Sequence, residues 1–345
     1  FTFNRSEVFN PPVDLAGIYS ADGMLLPPET GETKEFGLRL YLLDNWLQTG
    51  VIDLKEYRRR QMFAVARDIA DNDALLREWD QHPDYDDYWR DEDASLHFDK
   101  MNLPCFTIGS WFDFMVQGSV ASFIGRQHHG GPDSRGHQQL ILGPWLHGGY
   151  PKSNKIGELV FPENAFFDVY PHMTKWFNHY LKGEDNGIEK DRPVKYYVMG
   201  ACGEAGAPGN LWREAKNFPP ASQAADWFLQ PDGKLDARKP IASSASTSYA
   251  SDPTRPMILN TVGFPGARDA RAFEEQAEVR TWTSDVLTEP LEVTGRIKAE
   301  VFVSSTAKDT DFVLRVTDVY PDGRSILLVD YPLRARYREG DRKST

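Results

Sequence analysis

Residues 103–113 read LPCFTIGSWFD and residues 139–149 read QLILGPWLHGG. Each is a short apolar run that reaches a glycine and is followed by one chemically capable side chain, Asp113 in the first and His147 in the second. Apolar runs of four to eight residues bounded by turn residues read as buried strands. A helix-like stretch, about Phe114 to Arg126, separates them, followed by the polar loop HHGGPDSRGH at 128–137. Residues 164–182 then read as an amphipathic helix with Phe167, Tyr170, Met173, Phe177 and Leu181 on one face, and Pro193–Met199 (PVKYYVM) as a third strand. Strand–helix–strand–helix–strand at this spacing predicts βαβ units and a parallel sheet, an α/β fold.

Working outward, residues 1–35 are rich in Pro, Gly and Thr and read as loop, and residues 36–47 (FGLRLYLLDNWL) as a short buried helix. Asp53 and Glu56 have the spacing of a capping box. Tyr57, Met62, Val65, Ile69, Leu76 and Trp79 then recur at helical spacing along 54–79. Past residue 200 the helical pattern stops. Residues 201–280 are loop-rich with strand-like pieces such as 226–230. LEVTGRIKAEVFVSS, DFVLRVTDVY and ILLVDYPLRARY, within 291–337, are β-rich, and the turn Pro321-Asp322-Gly323 joins the last two as a hairpin. This part reads as an all-β domain.

The chain has 345 residues, enough for two or three domains. A net charge of −12 with no block of Lys or Arg disfavours nucleic acid and anionic membrane as partners. No apolar run approaches the roughly 20 residues that cross a bilayer. Cys105, in an apolar run, reads as a buried thiol, and with Cys202 it makes neither a disulfide framework nor a zinc spacing.

In a parallel sheet, functional side chains collect past the carboxyl ends of strands. An acid after one strand and a histidine after the next follow the order of triad partners in an α/β-hydrolase. Neutral imidazole can take a serine proton and return it to the leaving group, while the carboxylate fixes the tautomer and stabilises the imidazolium. The plainer alternatives are Asp113 as a helix cap and His147 as a loop histidine. No G-x-S-x-G elbow is present, Ser110 lies beside the acid, and Ser119 and Ser122 fall in a helical pattern. The chain opens Phe1-Thr2-Phe3, and the nucleophile is expected upstream of it.

These segments resemble the cocaine esterase / glutaryl acylase / X-prolyl dipeptidyl aminopeptidase (CocE/NonD) group of serine hydrolases. IGSWFDF resembles that group's segment around the acid, and LILGPWLHGG the one around the histidine. HPDYDDYWRDED (82–93), YPHMTKWFNHYLKGEDNGI (170–188), VKYYVMGA (194–201) and 290–339 resemble further segments in the same order. The resemblance implies an α/β-hydrolase core with a helical cap, followed by a C-terminal jelly roll that is incomplete in this chain. The corresponding domains are 1–35 core loop, 36–98 cap, 99–200 second half of the core and 201–345 jelly roll. Asp113 and His147 become the triad acid and base, acting on an ester, amide or short-peptide substrate with no cofactor and no metal; the order of oligomer is left open. Two departures stand out: the group often has Gly-Trp before the acid where this chain has Gly109-Ser110-Trp111, and the serine-bearing region is not found.

Trp111, Phe112, Phe114 and Met115 flank the acid; core packing is the default for all four, and Trp111, Phe112 and Met115 are the candidate substrate-lining residues. Trp145 is expected to pack and orient the histidine loop. The acidic cluster Asp84, Asp86, Asp87, Asp91, Glu92 and Asp93 reads as a solvated turn rather than a cation site or an amine-selecting site. His128, His129 and His137 read as surface loop. A rival from another class is a non-catalytic β-sandwich binding protein with a degenerate hydrolase domain.

Overall fold

The structure, a computed structural model, describes residues 78, 81–82, 84–91, 93–147, 154–241, 244–252 and 266–339. They fall into two compact units that part between Asp93 and Ala94, five residues before the expected end of the cap. The expected helices at 36–47 and 54–79 lie outside the described residues.

The larger unit is built on a four-stranded mixed sheet: β1 (Cys105–Phe112), β2 (Gln138–Leu146), β3 (Val194–Val198) and β4 (Leu211–Ala215), adjacent in that order. β1, β2 and β3 run parallel and β4 is antiparallel to β3. β4 was not expected. LWREA is short and carries two charges, and it places the edge of this sheet beyond residue 200, where the sequence reading begins the β domain.

β2 is buried at every position but its last, as its unbroken apolar run requires of a strand covered on both faces. Leu140 and Leu142 point to one face, where they meet Phe123, Val120 and Ile124 of helix α1 (Val116–His129). Ile141 and Trp145 point to the other, against Val169 and Met173 of helix α2 (Val169–Lys182). Burying each of these large apolar side chains contributes about 1.5–3 kcal/mol.

Asp168 caps α2 by accepting the Tyr170 N–H at 3.1 Å, and Gly183, left-handed at φ 71°, ends it. The expected apolar face of this helix is corrected in part: Phe167 and Met173 do pack towards the sheet, and the other three residues do not. Val169 and Trp176 are buried, whereas Tyr170, Phe177 and Leu181 are 63%, 48% and 77% exposed. The sequence carries two stripes at helical spacing, and the sheet takes the one led by Val169. α1 runs on to His129, so His128 and His129 sit in its last turn rather than in a loop, where a histidine suits the helix dipole.

In the C-terminal part, β5 (Asp311–Val319) and β6 (Ser325–Arg334) form the expected hairpin about Pro321-Asp322-Gly323, with Gly323 at φ 87°. It is tied to the sheet: Tyr320 and Ile326 share a buried cluster with Tyr197 and Cys202, and the Tyr320 hydroxyl accepts the Cys202 N–H at 3.1 Å. Residues 291–305, expected as strand, pair with no strand among the described residues, and Val293 and Val301 are 64% and 49% exposed. Cys105 is half-buried rather than buried, and both cysteines are free thiols.

Trp145 is 1% exposed, and its indole N–H donates to the Ala165 carbonyl at 3.0 Å. Its ring lies over Gly143, so a Cβ there would stand 2.3 Å from the ring. Gly143→Ala must therefore displace ring or backbone, and we expect it to cost about 1–3 kcal/mol. A lower urea midpoint with an unchanged m-value is the outcome to look for; an unchanged midpoint would show that the ring moves freely.

Candidate active site

Because β1 and β2 are parallel, both chains leave the sheet at the same edge. Their pairing runs Cys105 to Gln138 through Ser110 to Gly143, then slips, so that Phe112 faces Leu146. Two residues on β1 thus oppose three on β2, a bulge around Pro144 and Trp145. Continuing the shifted register by one residue sets Asp113 beside His147. In the unshifted register Asp113 would meet Leu146, and His147 would fall on the other face.

Beyond β1 the chain turns at once. The Asp113 N–H donates to the Ser110 carbonyl at 3.1 Å, and the Val116 N–H to the Asp113 carbonyl at 3.2 Å. Met115, at φ −93° and ψ 0°, has the third-position geometry of a type I turn. Its N–H donates to Asp113 Oδ1 at 2.8 Å. The capping alternative is therefore partly met, since the carboxylate holds an N–H at the foot of α1. It holds the histidine as well: His147 Nδ1 lies 3.0 Å from Oδ1 and 3.1 Å from Oδ2. The Asp113 side chain is 15% exposed and that of His147 40%. With a carboxylate at Nδ1, a neutral ring carries its proton there and its lone pair on Nε2.

The aromatic residues divide. Trp111 donates its indole N–H to the Tyr197 carbonyl at 2.7 Å and packs towards Phe218 on the α1 side. Phe112 packs with Leu146 on the opposite side. Met115 is half-buried at the turn and belongs to neither cluster. Phe114, which the sequence reading left to core packing, instead stacks on His147, with ring centroids 4.7 Å apart and planes 29° from parallel. Its position directly after the acid was the available signal.

Other candidate nucleophiles fall away. Ser110 is 6% exposed within β1. Cys202 is buried, and burial pushes its thiol up to about 11, so it stays protonated at neutral pH. In the smaller unit, Asp86 pairs with His82 at 2.6 Å, and that hydrogen bond holds its carboxyl below the usual range. Asp87 pairs with Arg90, and Asp93 accepts the Tyr85 hydroxyl. Glu92 lies outside the described residues. No cluster of three or more metal-ligating side chains is found among the described residues. His137 faces Glu189 at 3.4 Å.

A mixed sheet with helices on both faces, and an aspartate and a histidine past adjacent parallel strands, is an arrangement found in hydrolases of the α/β class. A solved alpha-amino acid ester hydrolase supports that fold: it superposes with a TM-score of 0.63 over 81% of this chain and 49% of its own, at 23% identity. The family model for X-Pro dipeptidyl-peptidase (S15 family) matches residues 11–149, and that for the X-Pro dipeptidyl-peptidase C-terminal non-catalytic domain matches 186–345. The cocaine esterase of Rhodococcus sp. (strain MB1 Bresler) is 29% identical over 279 residues, which is 75% of this chain and 45% of the esterase. The chain belongs to the CocE/NonD family of hydrolases. It spans about half the length of the relatives it matches.

Since Asp113 serves both turn and imidazole, its two losses separate. Asp113→Ala should lower stability by about 1 kcal/mol through the turn, whereas His147→Ala should stay within about 0.5 kcal/mol of the parent. Chemical denaturation of both variants checks this; equal losses would contradict the shared role.

Proposed function

We propose that Asp113 and His147 are the acid and base of a serine hydrolase that cleaves ester or amide bonds of small molecules or short peptides through an acyl-enzyme. The observation that carries the reading is His147 Nδ1 held by both oxygens of Asp113 at the ends of adjacent parallel strands. His147 Nε2 takes the proton of a serine hydroxyl as its oxygen attacks the acyl carbon, and returns that proton to the departing alcohol or amine. Water then enters by the same route and releases the acid and the serine. Asp113 stabilises the imidazolium in both steps. The chemistry calls for no metal or organic cofactor.

The serine and the oxyanion donors belong, in this reading, to the part of the family's length that this chain does not span. Residues 36–98 are its cap and residues 201–345 its jelly roll. Met115, beside the carboxylate and outside both buried clusters, is the residue of the expected three that we assign to the acyl pocket; Trp111 and Phe112 support it from the core. Similarity to a cocaine esterase favours ester substrates. The two family models favour a second reading, release of dipeptides ending in proline.

In the protein that carries the nucleophile region, a fluorophosphonate probe should label one serine. His147→Ala should cut turnover of an activated ester by ~10⁴-fold or more. A well-folded protein that takes up no probe would point to the binding-protein rival. Parallel assays with an aryl ester and an X-Pro aryl amide separate esterase from peptidase.

A further inference from the structure

We propose that Phe114 is a positioning residue for His147, an inference that rests on the hydrolase reading. The turn Asp113-Phe114-Met115-Val116 presents two side chains to one imidazole. Asp113 meets its edge at Nδ1, and Phe114 lies against its face at 4.7 Å. An edge hydrogen bond split between two oxygens fixes where Nδ1 sits, yet it allows the ring to tilt about that contact and swing Nε2 away. A flat ring stacked on the imidazole opposes the tilt. Both restraints come from consecutive residues, so the turn that aims the carboxylate also sets the plane of the base.

Among the described residues, Trp111 and Phe112 each join a buried cluster and Phe114 joins none; it is 38% exposed. The second position of a type I turn accepts most residues and has no need of an aromatic one. A stacked face also shields one side of the imidazole from water, and it attracts the ring more strongly once it is protonated, the form that develops during acyl transfer.

The test uses Phe114→Leu, similar in bulk but without a flat face, and Phe114→Tyr, which restores the face. In this chain, the His147 ring resonances, followed by NMR on ¹⁵N-histidine-labelled protein, should lose their aromatic ring-current shift and broaden in Phe114→Leu, and return in Phe114→Tyr. In the protein that carries the nucleophile region, Phe114→Leu should lower kcat for an activated ester ~10-fold with KM little changed, and Phe114→Tyr should recover most of it. His147 ring resonances in Phe114→Leu identical to the parent would overturn the proposal whether or not the protein is a hydrolase. Unchanged kcat with altered resonances would overturn the catalytic part alone. Failure of the hydrolase reading shows separately, as a parent protein that no fluorophosphonate labels.

Discussion

The candidate site depends on the parallel pairing of β1 with β2 and on the slip within it. Parallel strands deliver their carboxyl ends to one edge, but pleating makes facing a matter of single residues. Ser110 opposite Gly143 and Phe112 opposite Leu146 cannot belong to one unbroken register. The extra β2 residue brings His147 level with Asp113. Pro144, which donates no backbone hydrogen bond, sits where the ladder is broken. Gly143 leaves room for the ring of Trp145 to fold back, and that ring in turn anchors to the Ala165 carbonyl. Packing two residues before the histidine thus fixes a geometry used at the surface.

Much of this was legible in the sequence, for definite reasons. A continuous apolar run such as LILGPWL has few places to go except the middle of a sheet, and it went there. Asp113 and His147 were suggested because each follows such a run, and the structure puts them in contact. The bulge was not legible, because it is a property of two strands aligned together. The departure around Gly109-Ser110-Trp111 nonetheless lies beside it. Phe114 flanks the acid in the sequence but defaults to the core there, as hydrophobic residues near a strand end do, and a single sequence does not show that a turn will aim one at a histidine.

The misread face of α2 and the stretch 291–305 share a cause. Periodicity says which residues lie on the same side, not what waits there. In α2 the set Val169, Met173, Trp176 and the set Tyr170, Phe177, Leu181 both satisfy helical spacing, and the partner sheet chooses between them. Along 291–301 every odd position is apolar or glycine and every even one polar. A strand, however, is defined by the hydrogen bonds of a neighbour. DFVLRVTDVY and ILLVDYPLRARY have each other across a short turn, and form one.

The double duty of Asp113 also bears on how such a site holds its shape. A carboxylate left to a single partner would be free to rotate about its side-chain bonds. Here Oδ1 accepts the Met115 N–H, a donor fixed by the backbone, so the orientation of the carboxyl group is set before the imidazole is considered. His147 then meets a carboxylate already in place and has less of its own freedom to give up. Holding the turn before α1 and holding the imidazole are therefore not alternatives for Asp113, because the Met115 N–H bond that fixes its carboxylate is what makes the aspartate a rigid partner for the histidine.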